Sequence, residues 1–570
     1  MDKLDLWVSD DEKLETASTH RWFLFIRGYV VIRSLGQIQP PEIATYLVNR
    51  LESGISTGSI LSDLEGSFVI AAWDASTHTL HLAGDRVGSQ TIYYFKDKPG
   101  FFLCSSHPQW ICETLDHREL DPESLHLYLG LKGIPAPWTP IRGVKKVCPG
   151  SLLQIRRNQV QQIDYWDALE HLSDGYAESF ENASQEFIKK LDQAILQYSA
   201  DQHGKPIGVF LSGGLDSTLL ASMAHRHHLR LKAFTAGYSP AFRTDETHHA
   251  ALVAEWLGID HEICRLDSLR LNDLVTNEII DLPEPVADPS FWPQLNLAKT
   301  MVDQVSAIFD GTGADSLLGG SNKFAVKKYA NLYKKIPPFI RKQIISPVSA
   351  LFPSSRHTQF SNWIRLLQVF IQGCEVADHE QDIYYSRFFQ PEIESRLLKA
   401  ELNIGRDLSG HMMHNYHRQV DEYHAVAAAG YMTLKAVQPW VELLKLTCIE
   451  QKTGLSIRKP FLYSSVIEFN LLLPDEYKVR AGQGKAIQKK ASEELVPAEI
   501  LKRRKANFSP PVGRWLSEDL KGLFFDVIQE SGPFNLTFVH KLYGQQDRGF
   551  RDWQSELWAI LMWQMWWNAL

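Results

Sequence analysis

The sequence predicts two domains in tandem: a sheet-dominated α+β domain, then an α/β domain on a doubly wound parallel sheet that runs into a helical C-terminal part. Three observations lead there. At 570 residues the chain is too long for one hydrophobic core. From residue 22 to 165 short β-rich runs alternate with Gly, Asp and Ser punctuation. From residue 180 the texture changes to repeated strand, glycine turn and helix. The domains are placed at 1–175 and 176–570.

In the first domain FLFIRGYVVI, SFVIAAWD, TLHLAGDR and TIYYF read as strands, and SLLQIRRNQVQQIDYW as a closing hairpin. ASQEFIKKLDQAILQYSA then carries helical periodicity. PIGVFLSGGLDSTLLASMAHRH reads as a buried strand, a glycine turn and a helix. LKAFTAGYS, THHAALVAEWLG and HEICRLD continue the alternation, and VSAIFDGTGADSLLGG is a further strand and turn. Residues 321–570 read as mostly helical, broken by the Pro- and Ser-punctuated IPPFIRKQIISPVSALFPSSRH, expected to be mobile. The tryptophan-rich LWAILMWQMWWNAL is too short to span a bilayer and is expected as a terminal helix packed on the core.

A formal net charge of −8 excludes a general grip on nucleic acid, which needs a basic face. The clusters Lys327-Lys328 and Arg503-Arg504-Lys505 read as solvated faces. Six cysteines without a CxxC pair suggest neither zinc nor disulfides, so a reducing cytoplasm is the simpler compartment. The acidic N-terminal run lacks the pattern of a signal peptide, and no apolar run is long enough for a membrane span.

The chemistry concentrates in FLSGGLDST. Ser212-Gly213-Gly214 must turn sharply after a buried strand, and glycine lets a phosphate oxygen approach backbone N–H groups. The helix beginning near Asp216 adds its positive end, which favours an anion. Ser212, Ser217 and Thr218 supply hydroxyls, and Asp216 is a candidate Mg²⁺ ligand. The loop lacks the Lys-Ser/Thr ending of the common phosphate loop, which argues against γ-phosphate transfer.

SGGLDST resembles the pyrophosphate loop of the asparagine-synthetase superfamily, whose members cleave ATP to AMP and pyrophosphate. Further segments resemble that family in order: FDGTGADSLLGG its second metal loop, Arg458 with PFL its R-x-PFL segment, and GKAIQKKASEELVPAEILKRRKANFSPPVGRW its terminal signature. The resemblance implies a PP-loop ATPase domain that uses ATP and Mg²⁺ to adenylate a carboxylate. It implies Asp216 and Asp315 as Mg²⁺ ligands and Lys485 as the cation that meets pyrophosphate. The implied nucleotide site comprises Leu211, Ser212, Gly213, Gly214, Leu215, Asp216, Ser217, Thr218, Gly237, Asp288, Gly311, Thr312 and Gly313.

DLEGSFVIAAWDASTHTLHLAGDRVGSQTIYYF resembles the glutaminase domain of the same family, an Ntn-hydrolase-like sandwich. Working glutaminases use a cysteine exposed by methionine removal, with its own amine as base. Here Asp2 stands second, so the domain is expected to be degenerate and glutamine-independent.

Relatives with degenerate first domains include β-lactam synthetases and lasso-peptide cyclases, and both take their amine from the substrate. Thr447 and Cys448 stand where asparagine synthetases usually carry D-R, Ser456 where Glu is usual, Tyr463 in place of Asp, and Ser316 where an acidic residue follows Asp315. The acid is therefore expected to differ from free aspartate. Thr312 occupies the place of the tyrosine in the proton-removing dyad of β-lactam synthetases, which turns the reading to a lasso cyclase. Its substrate would be a ribosomal precursor peptide, with a leader-binding protein and a leader peptidase as partners. Glu375, Glu380, Tyr384 and Tyr385 are candidate bases by position. Two alternatives stand beside it: a ligase of a small-molecule acid, and a non-catalytic scaffold.

Overall fold

The computed structural model describes the chain apart from residues 1–13, 37–38, 97–100, 157–158, 174, 201–203, 239–245, 321–329, 331, 357, 377–380, 481, 504–509 and 530–531. Asp2, Lys327, Lys328, Arg504, Lys505 and Glu380 lie outside the described residues.

The first sheet follows from period-two alternation. β1 (Leu14–Ser18), β2 (Trp22–Ile32), β3 (Leu64–Asp74) and β4 (Thr79–Gly84) pair antiparallel in sequence order. β5 (Tyr93–Phe95), β6 (Leu103–Ser105) and β7 (Val144–Lys146) form a small second sheet, while β8 (Ser151–Arg156) and β9 (Gln159–Asp164) close the first against β4. Along β3, Phe68, Ile70 and Ala72 face the core under helices Ile43–Glu52 and Thr57–Asp63, whereas Val69 and Trp73 face the opposite layer with Leu82, Val147 and Leu153. Both faces are thus covered. β9, at the edge, is exposed along its length.

The third sheet, in the later part of the chain, is parallel. β10 (Ile207–Phe210), β11 (Leu231–Tyr238), β12 (Asp260–Leu266), β13 (Ala307–Phe309) and β14 (Ser456–Arg458) lie in the order β12-β11-β10-β13-β14. The chain moves outward from β10 to β11 and β12, then returns to place β13 on the other side of β10. Between β10 and β13 the winding direction reverses, and loops leaving the C-terminal ends of those two strands part around a crevice. In open parallel sheets such a switch point is where ligands bind.

Helix α1 (Leu215–Arg226) follows β10, α2 (Phe291–Met301) covers the sheet, and α3 (Leu444–Thr453) leads into β14. A turn of π-helix, Pro439–Leu443, precedes α3. The terminal helix α4 (Gln554–Ala569) is core, as its sequence indicated. Trp558, Trp563 and Trp566 are buried, Trp566 Nε1 donates to Leu282 O at 2.6 Å, and the Tyr128 hydroxyl donates to Ala559 O at 2.9 Å. The stretch expected to be mobile is helical over Pro338–Ala350. Pro338 sits in the first turn, where no N–H is needed, and a π turn at Arg341–Ile345 precedes the proline at 347.

Candidate active site

The loop after β10 is built as its residue types require. Gly213 has φ +65°, and a Cβ there would lie 2.5 Å from His249 Cβ and 2.6 Å from Ala250 N, so only glycine fits. Gly214 caps the start of α1, with its N–H donating to Ser212 Oγ at 3.2 Å. Ser212 and Ser217 hydroxyls are 3.1 Å apart, and Thr218 Oγ1 donates to Gly214 O at 2.7 Å. Leu211 is buried as the anchor of the turn, and Leu215 is the first residue of the helix. The serine hydroxyls and the start of α1 share one concave turn, as anion binding needs.

The loop after β13 lies against it. Thr312 N donates to Asp310 Oδ1 at 2.8 Å, and a Cβ at Gly311 would lie 3.2 Å from Asp216 Cβ. Gly313, at φ +101°, leaves no space for a side chain against Leu462. Gly237 lies on β11 three residues beyond Phe234, the partner of Phe210, at the level of the first loop.

Asp216 and Asp315 converge on one ammonium. Lys485 Nζ is 2.5 Å from Asp216 Oδ2 and 2.6 Å from Asp315 Oδ1. Burial would lower the Lys485 pKa, but the two carboxylates outweigh it and hold it above the ordinary lysine value. Lys485 itself has φ +61°, and its N–H donates to Leu318 O at 2.9 Å. The two backbones touch: a Cβ at Gly484 would lie 2.0 Å from Gly319 O, and one at Gly320 would lie 2.1 Å from Asp315 Oδ1.

Other groups reach the same crevice without a local motif. Gln488 Nε2 donates to Asp216 Oδ1 at 2.9 Å, one turn after Lys485. Arg503 donates to Gly213 O at 2.9 Å and pairs with Glu246 at 2.5 Å, so it braces the loop rather than forming a solvated face. Asp288 is gripped by Lys445 at 2.9 Å and accepts from Ser290 N at 3.0 Å. Burial pushes the Asp288 carboxyl up, but Lys445 and Ser290 together hold it below the ordinary range. Glu442 sits on the π turn, three residues before Lys445. Burial, with Asp288, Asp315 and Asp310 adding to it against Lys445, pushes its carboxyl up to about 7. Asp288 is the one the family resemblance implied; among the others only the Lys485–Gln488 spacing offered a sequence signal, two polar residues on one helical face.

The bases chosen by position are engaged elsewhere. Glu375 pairs with Arg341 at 2.7 Å, the Tyr384 hydroxyl donates to Gln372 at 3.0 Å and the Tyr385 hydroxyl to Phe370 O at 3.3 Å.

The family model described as asparagine synthase matches residues 189–568, two thirds of the chain. The chain belongs to the asparagine synthase family. Residues 51–166 match the glutamine amidotransferase domain. Asparagine synthetase 1 (glutamine-hydrolyzing) of Bacillus subtilis is 26% identical over 526 residues, 89% of this chain and 78% of its own. A putative asparagine synthetase of Mycobacterium tuberculosis is 26% identical over 530 residues, 89% of this chain and 77% of its own. Amidase chyE of Penicillium rubens is 27% identical over 295 residues, 47% of this chain and 41% of its own. In this family the fold is the one described above: a β-rich first domain, then a parallel-sheet synthetase domain with helices. The chain is an asparagine-synthetase-like, ATP-dependent amide ligase.

Proposed function

We propose that the enzyme adenylates an Asp or Glu side chain of a ribosomal precursor peptide and lets the peptide's own N-terminal amine capture it, closing a macrolactam. One observation carries the choice of acid. At the positions where asparagine synthetases usually place charged groups, this chain has neutral side chains sealed into the core. Thr447 donates to Ser89 O, Cys448 is wholly buried, and the Tyr463 hydroxyl donates to Gln197. None of them offers a charge to the ammonium or carboxylate of a free amino acid.

Ser212, Gly213, Gly214 and Ser217 would cradle pyrophosphate, with Gly237, Gly311, Thr312 and Gly313 shaping the nucleotide crevice and Asp288 held by Lys445 beside it. Thr218, buried with its N–H and hydroxyl both on Gly214 O, braces the turn instead. Asp216 and Asp315 fit a Mg²⁺ ion: hard carboxylates from two loops already converge on one cation, between glycines whose Cβ atoms would fill the space. Among the described residues no group of three or more ligating side chains forms a complete metal site, so water and phosphate oxygens would complete the shell. Bound there, the ion would neutralise charge on the leaving pyrophosphate. Lys485, paired with both carboxylates, would supply a second cation toward the same charge. Glu442 accepts the proton of the attacking amine.

The amine arrives with the peptide. In the first domain the Cys104 and Cys112 thiols are both raised to about 11 by desolvation, which leaves neither activated as a nucleophile. A leader-binding protein and a leader peptidase would deliver the substrate.

The test is exchange of labelled pyrophosphate into ATP. Exchange with a core peptide, and none with aspartate, supports the reading; exchange with aspartate plus ammonia refutes it. The 26% identity to the Bacillus subtilis enzyme over 89% of the chain favours a second reading, a ligase of a small-molecule acid, which that second outcome would select.

A further inference from the structure

Two helices beyond the second loop are amphipathic in the wrong sense for a protein surface. On Gln359–Glu375 the exposed positions are Phe360 (63%), Trp363 (59%), Leu366 (53%) and Val369 (41%), at spacings of three, while Ser361 and Gln368 face inward. The preceding helix, over Pro338–Ala350, exposes Phe339 (72%), with Leu351 (75%) just beyond its end. A contiguous apolar face of this kind marks a docking site.

The face is a built plate. Gln368 Nε2 donates to Ser349 O at 2.7 Å and to Phe352 O at 3.2 Å, and Arg341 pairs with Glu375 at 2.7 Å. The inward polar groups serve to lock the two helices together, which commits the aromatic side chains to the outside.

Charge identifies the occupant. Between residues 332 and 374 the chain carries Lys334, Lys335, Arg341, Lys342, Arg356 and Arg365 and no Asp or Glu, although its net charge is −8. Glu375 neutralises Arg341, and Asp552 serves both Arg356 and Arg365, while Lys335 and Lys342 stay exposed on the helical pair. We infer that this helical pair docks the enzyme on an anionic lipid surface, with Phe360, Trp363 and Leu351 entering the headgroup region and the lysines meeting lipid phosphate. Phe, Trp and Leu on one face of a helix flanked by Lys and Arg is the pattern of interfacial binding. The attachment is peripheral, since no helix among the described residues is long and apolar enough to cross a membrane.

Co-sedimentation of the full chain with phosphatidylglycerol-rich vesicles and with pure phosphatidylcholine vesicles tests this. Binding is expected with the anionic vesicles, weakening as salt rises, and falling about tenfold or more in the double variant Phe360→Glu/Trp363→Glu. Wild-type hydrogen exchange, which needs no variant to fold, should show protection of 338–375 on anionic vesicles. No sedimentation with anionic vesicles, no protection there, or equal binding by the double variant would overturn the inference. A wild-type dimer that the double variant dissolves, without vesicle binding, would instead assign the face to a second copy of the chain.

Discussion

The Lys485 ammonium lies 2.6 Å from Asp315 Oδ1, carried there by a backbone held at φ +61°. A side chain other than glycine, asparagine or aspartate in that region is strained, by about 1–3 kcal/mol. The strain is tolerated because Lys485 N is tied to Leu318 O, and it aims the side chain into the crevice. Replacing Lys485 with Met should lower pyrophosphate exchange by about a hundredfold or more, the worth of one well-aimed group. Unchanged exchange would remove Lys485 from the mechanism.

Neighbouring glycines in the first loop should respond unequally. Gly213→Ala puts a methyl 2.5 Å from His249 at a positive φ, whereas Gly214 has φ −83° and its nearest contact would be Ser212 Oγ at 3.1 Å. Gly213→Ala should cost about 1–3 kcal/mol of stability and most ATP affinity, and Gly214→Ala distinctly less. Denaturant melts and nucleotide titration would measure both.

The carboxyl of Glu442, raised from 4.5 to about 7, gives amide formation a rising limb through neutral pH, because the base acts deprotonated. Glu442→Gln should flatten that limb and slow product formation while leaving pyrophosphate exchange in place. Stability carries the opposite sign. A carboxyl raised on folding favours the folded state at low pH, and that contribution is lost as pH rises from about 4.5 to about 7. The variant should lose this slope in melts across the same window. The groups facing Glu442 are Lys445, Asp288, Asp310 and Asp315.

Magnesium should bind measurably only with nucleotide present, since two carboxylates already share the Lys485 ammonium. Calorimetry should show no binding of Mg²⁺ alone and clear binding with a non-hydrolysable ATP analogue. Tight binding of the bare ion would contradict the assigned ligand set.

The buried pair Lys445–Asp288 offers a stability test apart from chemistry. Lys445→Met strands a partly buried carboxylate and should destabilise by about 3 kcal/mol, with part of the loss recovered by adding Asp288→Asn.

The parts legible from sequence are those whose physics is local. The glycine turn at 212–214 needs a positive φ that only a few residue types supply, and β2, β3 and β10 have apolar patterns that admit one secondary structure. Lys445, Glu442 and Asp310 were illegible, since each acquires its neighbours only when α3 and the π turn meet the ends of β13 and α2. The helix over Pro338–Ala350 is hidden in the sequence because its prolines look like breakers until one is seen in a first turn and the other after a π turn. Position along the chain misled for Glu375, which holds two helices together.

Gly484 and Gly319 allow no methyl group between their backbones. Neither segment can be redesigned, or acquired by recombination from a relative, without the other. A chimera whose crossover falls between 320 and 484 joins two surfaces that evolved against different partners. Such a chimera could fold correctly in both halves and still fail to hold Lys485 where its ancestors did.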